Sequence, residues 1–210
     1  MQTEPMDDLV ASVRARAMTP QTLNDFARGL ENPPPLSSPA TSEMVAAVER
    51  ELGFPLPVLL TRLLLEIGNG GFGPGYGIAC ARFVPPGVFA RELVEAYRDY
   101  ADCADWQWPP KMLPVVEWGC GIVSCVDCRD PALPVFLVDP QCHCLDDPNL
   151  TATVVDAAGQ VVAEIGPRPG QAQPRPELIF VRQRDSFADF MRAWANGIDL
   201  WKECHPDVSA

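Results

Sequence analysis

The thiols of this chain have the residue types and spacings from which a metal site is built. Cys120-x4-Cys125-x2-Cys128 is followed by Cys142-His143-Cys144, more ligands than a tetrahedral zinc needs. Strand parity argues against a single site. If residues 119–128 form one extended strand, Cys120 and Cys128 share a face and Cys125 points the other way. Those two thiols then stand about 26 Å apart, too far for one ion without a sharp turn. Cys142 and Cys144 share a side that His143 does not. The expectation is therefore buried or edge thiols, no metal and no cofactor, with a small zinc-binding domain as an alternative.

Other chemistries are harder to support. A zinc deaminase needs H-x-E ahead of P-C-x-x-C. Both histidines, His143 and His205, lie after Cys125-x2-Cys128, and neither begins H-x-E. No G-x-S-x-G marks a nucleophile elbow, and no known local signature surrounds any cysteine. Asp146 and Asp147 are adjacent in a loop, where neighbouring side chains point apart. The chain reads as a non-enzyme.

Gly68-x-Gly70-x-x-Gly73 satisfies a dinucleotide-binding spacing, but that fingerprint requires a strand before it and a helix opening within it. Here the preceding apolar residues, at 59, 60, 63, 64 and 67, have a helical period. Pro57 fits the first helical position and Gly68 the stop. The loop thus leaves a helix C-terminus, the electronegative end, which suits phosphate poorly. Gly68, Gly70, Gly71, Gly73, Gly75 and Gly77 are expected to form a structural corner, with Phe72 and Tyr76 partly packed and no anion held.

The chain of 210 residues is 47% hydrophobic, enough for one domain with a real core. No apolar run reaches the ~20 residues of a membrane span, and the acidic start MQTEPMDDLV is unlike a secretory signal. A cytoplasmic location with reduced thiols is expected. The net charge of −12 disfavours nucleic acid and anionic membranes. Between residues 112 and 158 stand Glu117, Asp127, Asp130, Asp139, Asp146, Asp147 and Asp156, against Arg129 alone. Concentrated charge of this kind favours steered capture of a basic protein. Glu117, Asp127, Asp130, Asp139, Asp146 and Asp147 are the candidate partner-binding residues.

Helices are expected over residues 6–17, 20–30, 42–52, 57–67 and 88–102. Asn32-Pro33-Pro34-Pro35 breaks the chain as a stiff linker. A short strand is expected over 76–80, then strands over 113–118, 122–128 and 135–139, a hairpin over 151–165, and a last strand over 178–181. Ser186 caps a final helix with Phe187, Phe190, Met191 and Trp194 on one stripe. The fold class is α+β, with helices from both ends packed on a central, largely antiparallel sheet. Residues 1–35 read as a helical extension with its linker, 36–205 as the main domain, and 206–210 as a tail.

Three blocks carry a family resemblance: ELGFPLPVLLTRLLLEIGNGGFGPGYGI, LPVVEWGCGIVSCVDC and SFADFMRAWANGIDLW. In this order they resemble bacterial members of the SUKH superfamily, the Smi/Knr cell-wall-regulator-like proteins, over residues 41–201. The resemblance implies an α+β binding domain. It also implies an immunity role, sequestering a cognate toxin of an interbacterial system, since such proteins commonly act this way. A regulatory or scaffolding module of the Smi/Knr type, without a toxin, is the alternative.

Overall fold

The computed structural model describes residues 5–103, 108–139, 152–155, 161–165 and 180–204. The first helix, α1 (Met6–Ala17), carries Asp7 and Asp8 in its first turn and Arg14 and Arg16 in its last, the arrangement that complements the helix dipole. Its Leu9, Val10 and Val13 are buried. α2 (Ser42–Leu52) starts at Thr41, whose Oγ1 accepts the Met44 amide at 3.3 Å, and ends at Gly53 in a left-handed conformation. α3 (Val58–Glu66) follows Pro57, which stands just before the helix rather than as its first residue.

Residues 20–30 do not form the expected helix. They make two 3-10 turns, Pro20–Thr22 and Ala27–Gly29. The cause is Asn24, whose Oδ1 accepts the Ala27 amide at 2.7 Å. Such a side-chain bond offers the backbone an alternative to the helical ladder. The expected helix over 88–102 is likewise shorter, α4 (Leu93–Ala101). The extended Arg91–Glu92 stretch before it is held by Cys80, which donates its amide to Arg91 and accepts the Leu93 amide.

Among the described residues the sheet has six strands: β1 (Met112–Gly119), β2 (Ile122–Asp127), β3 (Val135–Val138), β4 (Ala152–Val155), β5 (Val161–Ile165) and β6 (Phe180–Arg184). Their order is β1-β2-β3-β6-β4-β5, and every pairing is antiparallel. The hairpin β4–β5 forms as the sequence suggests. Successive residues of β2 face opposite layers. Val126 joins the main core with Leu60, Leu63, Phe190 and Trp194. Val123 and Cys125 join a second cluster with Tyr100, Trp108 and Phe180.

The chain closes with α5 (Phe187–Ala195) and α6 (Leu200–Cys204). Ser186 Oγ caps α5 by accepting the Asp189 amide at 3.0 Å. The stripe Phe187, Phe190, Met191 and Trp194 is buried throughout. α1 belongs to this same core rather than to an appendage: Leu9, Val13 and Trp194 share one cluster, and the Arg16 guanidinium lies 5.0 Å from the Trp194 ring centroid. Within residues 5–35, α1 therefore contributes side chains to the core that α5 completes.

Candidate partner-binding surface

The glycine-rich stretch shapes the centre of the molecule. Gly70, Gly71, Gly73, Gly75 and Gly77 all have positive φ, the conformation that only glycine adopts without strain. Their amides are committed inside the chain. Gly71 donates to Ile78, Gly73 to Leu23, Gly75 to Asp25 Oδ2 and Gly77 to Pro74, each at 2.8 Å. Phe72 is fully buried and Tyr76 half-buried. The expected strand over 76–80 is reduced to single bridges, Ile78 with Val116 and Cys80 with Glu92, because this run of left-handed glycines cannot lie flat along a partner.

A segment well before the loop in sequence locks it in place. Asn24 Nδ2 donates to the Gly71 carbonyl at 2.8 Å. The Asp25 and Phe26 amides both donate to the Gly75 carbonyl, at 3.0 and 3.3 Å. Burial pushes the Asp25 carboxyl above its usual range, opposed by the Gly75 amide and Arg28. No periodicity announces this clamp. The one sequence signal is an adjacent Asn-Asp pair, a turn-forming combination.

The four described acidic candidates, Glu117, Asp127, Asp130 and Asp139, do not gather on one open face. Glu117 is half-buried, its side chain 23% exposed and 3.5 Å from Arg91. Asp127 is tied to its near neighbour Arg129 by two bonds of 2.7 and 2.8 Å. Asp139 is fully buried. Asp130 is exposed, with Oδ1 accepting the Ala132 amide. Asp146 and Asp147 lie outside the described residues. The sequence tally therefore overstates the charge that this stretch presents to solvent, because a count of carboxylates contains no burial.

Glu117 and Arg91 line a small open cleft with Gly77, Ala79, Ala96 and Val116, of about 200 Å³ including solvent space. Arg91 also meets Glu95, at 3.4 Å, and Asp99. One guanidinium shared among three carboxylates cannot fully offset the burial of Glu117, whose pKa is raised, chiefly by burial. The sign of the pH effect follows. Folded Glu117 binds its proton more tightly than unfolded Glu117, so its stabilising contribution is complete below the ordinary 4.5 and is lost as pH rises through the folded value. Wild type should therefore gain stability over Glu117→Gln between pH 7 and pH 4. Urea melts of both proteins at the two pH values test this, and a wild type that loses stability relative to Glu117→Gln on acidification would mean that Arg91 outweighs burial.

The described thiols do not assemble into a metal site. Gly119, Cys120 and Gly121 form a turn with positive φ at all three residues, so 119–128 is a hairpin turn plus a strand, not one extended run. Cys120 is exposed before β2, Cys125 is buried within it, and Cys128 follows it. Burial raises the Cys80 and Cys128 thiols to about 12 and Cys125 well above its usual value. Protonated, buried thiols are poor ligands and nucleophiles. Among the described residues no three His, Cys, Asp or Glu side chains are placed to hold a metal. Cys142, His143 and Cys144 lie outside them.

With this geometry in view, the profile of the SMI1/KNR4 family (SUKH-1) matches residues 39–155. The chain belongs to the SMI1/KNR4 family. The match takes in α2, α3, the glycine corner and β1 to β4. The SMI1/KNR4 region thus excludes α1, the Asn24–Asp25 clamp, β6 and α5, all of which build the same core or sheet. No curated protein and no solved structure matches the chain. Among the described residues, no helix is long and apolar enough to cross a membrane.

Proposed function

We propose that this chain is a non-catalytic cytoplasmic binding protein, an immunity protein that neutralises a basic toxin, of nuclease type, from an interbacterial system. Membership of the SMI1/KNR4 family carries the reading. The net charge of −12 supports a basic partner independently, since a nuclease must present positive surface to its phosphate-rich substrate. Steering needs exposed charge, which favours Asp130 over the paired Asp127 and the buried Asp139, and the charge pattern of the sequence adds Asp146 and Asp147.

The test begins with the protein encoded next to this chain's own reading frame. Co-expression should rescue cells from its toxicity, and the two purified proteins should bind. Neutralising Asp130, Asp146 and Asp147 to asparagine should slow association several-fold at low salt, with a smaller effect on dissociation. The difference should shrink near physiological ionic strength, where screening acts over about 8 Å. Toxicity without rescue, or a neighbour that neither harms the cell nor binds, would overturn the immunity reading.

A further inference from the structure

The glycine corner, the clamp segment and the residues before α4 bring three rings together at the surface. Phe26 and Phe89 have centroids 4.6 Å apart, Tyr76 lies 5.4 Å from Phe26, and Tyr76 lies 6.2 Å from Phe89. Phe89 is 53% exposed and Phe26 36%, so the triad is not core. The helix expected over 88–102 would contain Phe89. The structure instead leaves it before the helix, facing solvent.

The rings continue across the molecule. A Cβ on Gly119 would stand 2.8 Å from the Tyr76 hydroxyl, and one on Gly75 would stand 3.1 Å from the Trp118 ring. Trp118 in turn packs on Trp201, with centroids 5.6 Å apart. Beside this line runs the cleft of Arg91 and Glu117. The Arg91 cluster holds three carboxylates to one guanidinium, and Glu95 and Asp99 are 60% and 59% exposed.

We propose that the Phe26–Tyr76–Phe89 face, with Glu95 and Asp99 at its rim, is the docking surface for a basic protein that inserts arginine side chains against these rings. The inference rests on the basic-partner reading above and adds the place and chemistry of contact. Exposed aromatic clusters on soluble proteins mark interaction sites, and aromatic residues dominate binding energy at interface centres. A guanidinium stacks over such rings while its edge pairs with carboxylate. Charge selects the occupant. A second copy of this chain would bring −12 against −12, whereas a basic protein meets the carboxylate excess around Arg91.

The probe is tetra-arginine amide, titrated into the full-length 15N-labelled chain, with tetra-lysine amide as the equal-charge control. The expected result is amide shifts concentrated at Tyr76, Phe89, Glu95 and Asp99, with tighter binding of the arginine peptide. Phe26→Ala with Phe89→Ala should weaken binding about tenfold. Should that pair impair folding, Glu95→Gln with Asp99→Asn, at mostly exposed sites, should weaken it severalfold. Shifts confined to Asp130 and its neighbours, or equal binding of both peptides unaffected by the ring variants, would overturn the docking site while leaving the basic-partner reading intact. No binding of either peptide at low salt would count against both. Dimerisation lost in the ring variants would assign the face to self-association instead.

Discussion

Replacing Gly77 by alanine is expected to cost about 4 kcal/mol or more of folding stability, at the extreme of single substitutions. Two effects add. Gly77 has φ +97, where a side chain is strained, a penalty of about 1–3 kcal/mol. The new Cβ would also stand 2.3 Å from the Gly71 carbonyl carbon and 2.5 Å from its oxygen. Backbone atoms cannot swing aside as a flexible side chain does, so the corner itself must open. Two controls separate strain from collision. Gly53 has φ +77 with nothing within 4 Å of where a Cβ would stand, so Gly53→Ala should cost about 1–2 kcal/mol. Gly29 has open space and no left-handed φ, so Gly29→Ala should stay within about 1 kcal/mol of wild type. Urea denaturation midpoints of the three variants decide the order. A Gly77 variant no worse than Gly53→Ala would mean that the corner is loosely packed.

Removing residues 1–35 is expected to abolish cooperative folding, although the family match begins only at residue 39. Leu9, Val10, Val13 and Leu23 are all at most 2% exposed. Burial of side chains this size is worth about 1.5–3 kcal/mol each, so four of them rival a whole domain's stability of about 5–15 kcal/mol. The truncation would also bare Trp194 and strip the Asn24 and Asp25 bonds from the glycine corner. Near-ultraviolet circular dichroism and a thermal melt of the 36–210 fragment provide the check. A sharp transition with native aromatic signal would show that the matched region, β6 and α5 fold without α1.

What could be read from the sequence was local. The helix expected over 42–52 appears as α2 with those bounds, and α5 starts at Ser186 with its apolar stripe. Both were visible because the signals lie within one or two turns of the helix they define. The α+β class followed from strands and turns of the same local kind. The clamp was not legible, because Asn24 finds its partners at Gly71 and Ala27 rather than in a helix of its own. Nor was the fate of Glu117, whose cation Arg91 lies well before it in sequence. Asp127 was nearer to legible, since Arg129 stands two residues on. Charge density along a chain gives the size of a field, whereas burial and pairing decide which carboxylates present it.

The glycine corner has one more effect, on the sheet's outer margin. Among the described strands β1 is an end strand, and an uncovered end strand offers a ready template for pairing with another molecule. Here the Tyr76 and Ala79 amides donate to the Glu117 and Val115 carbonyls at 2.9 and 2.8 Å, flanking the Ile78–Val116 bridge. The corner thus occupies the middle of that margin with irregular backbone that cannot propagate a ladder. Loosening it would do more than lower stability: it would uncover the Val115 and Glu117 carbonyls to strand addition. Aggregation before global unfolding is the failure this chain's glycines guard against.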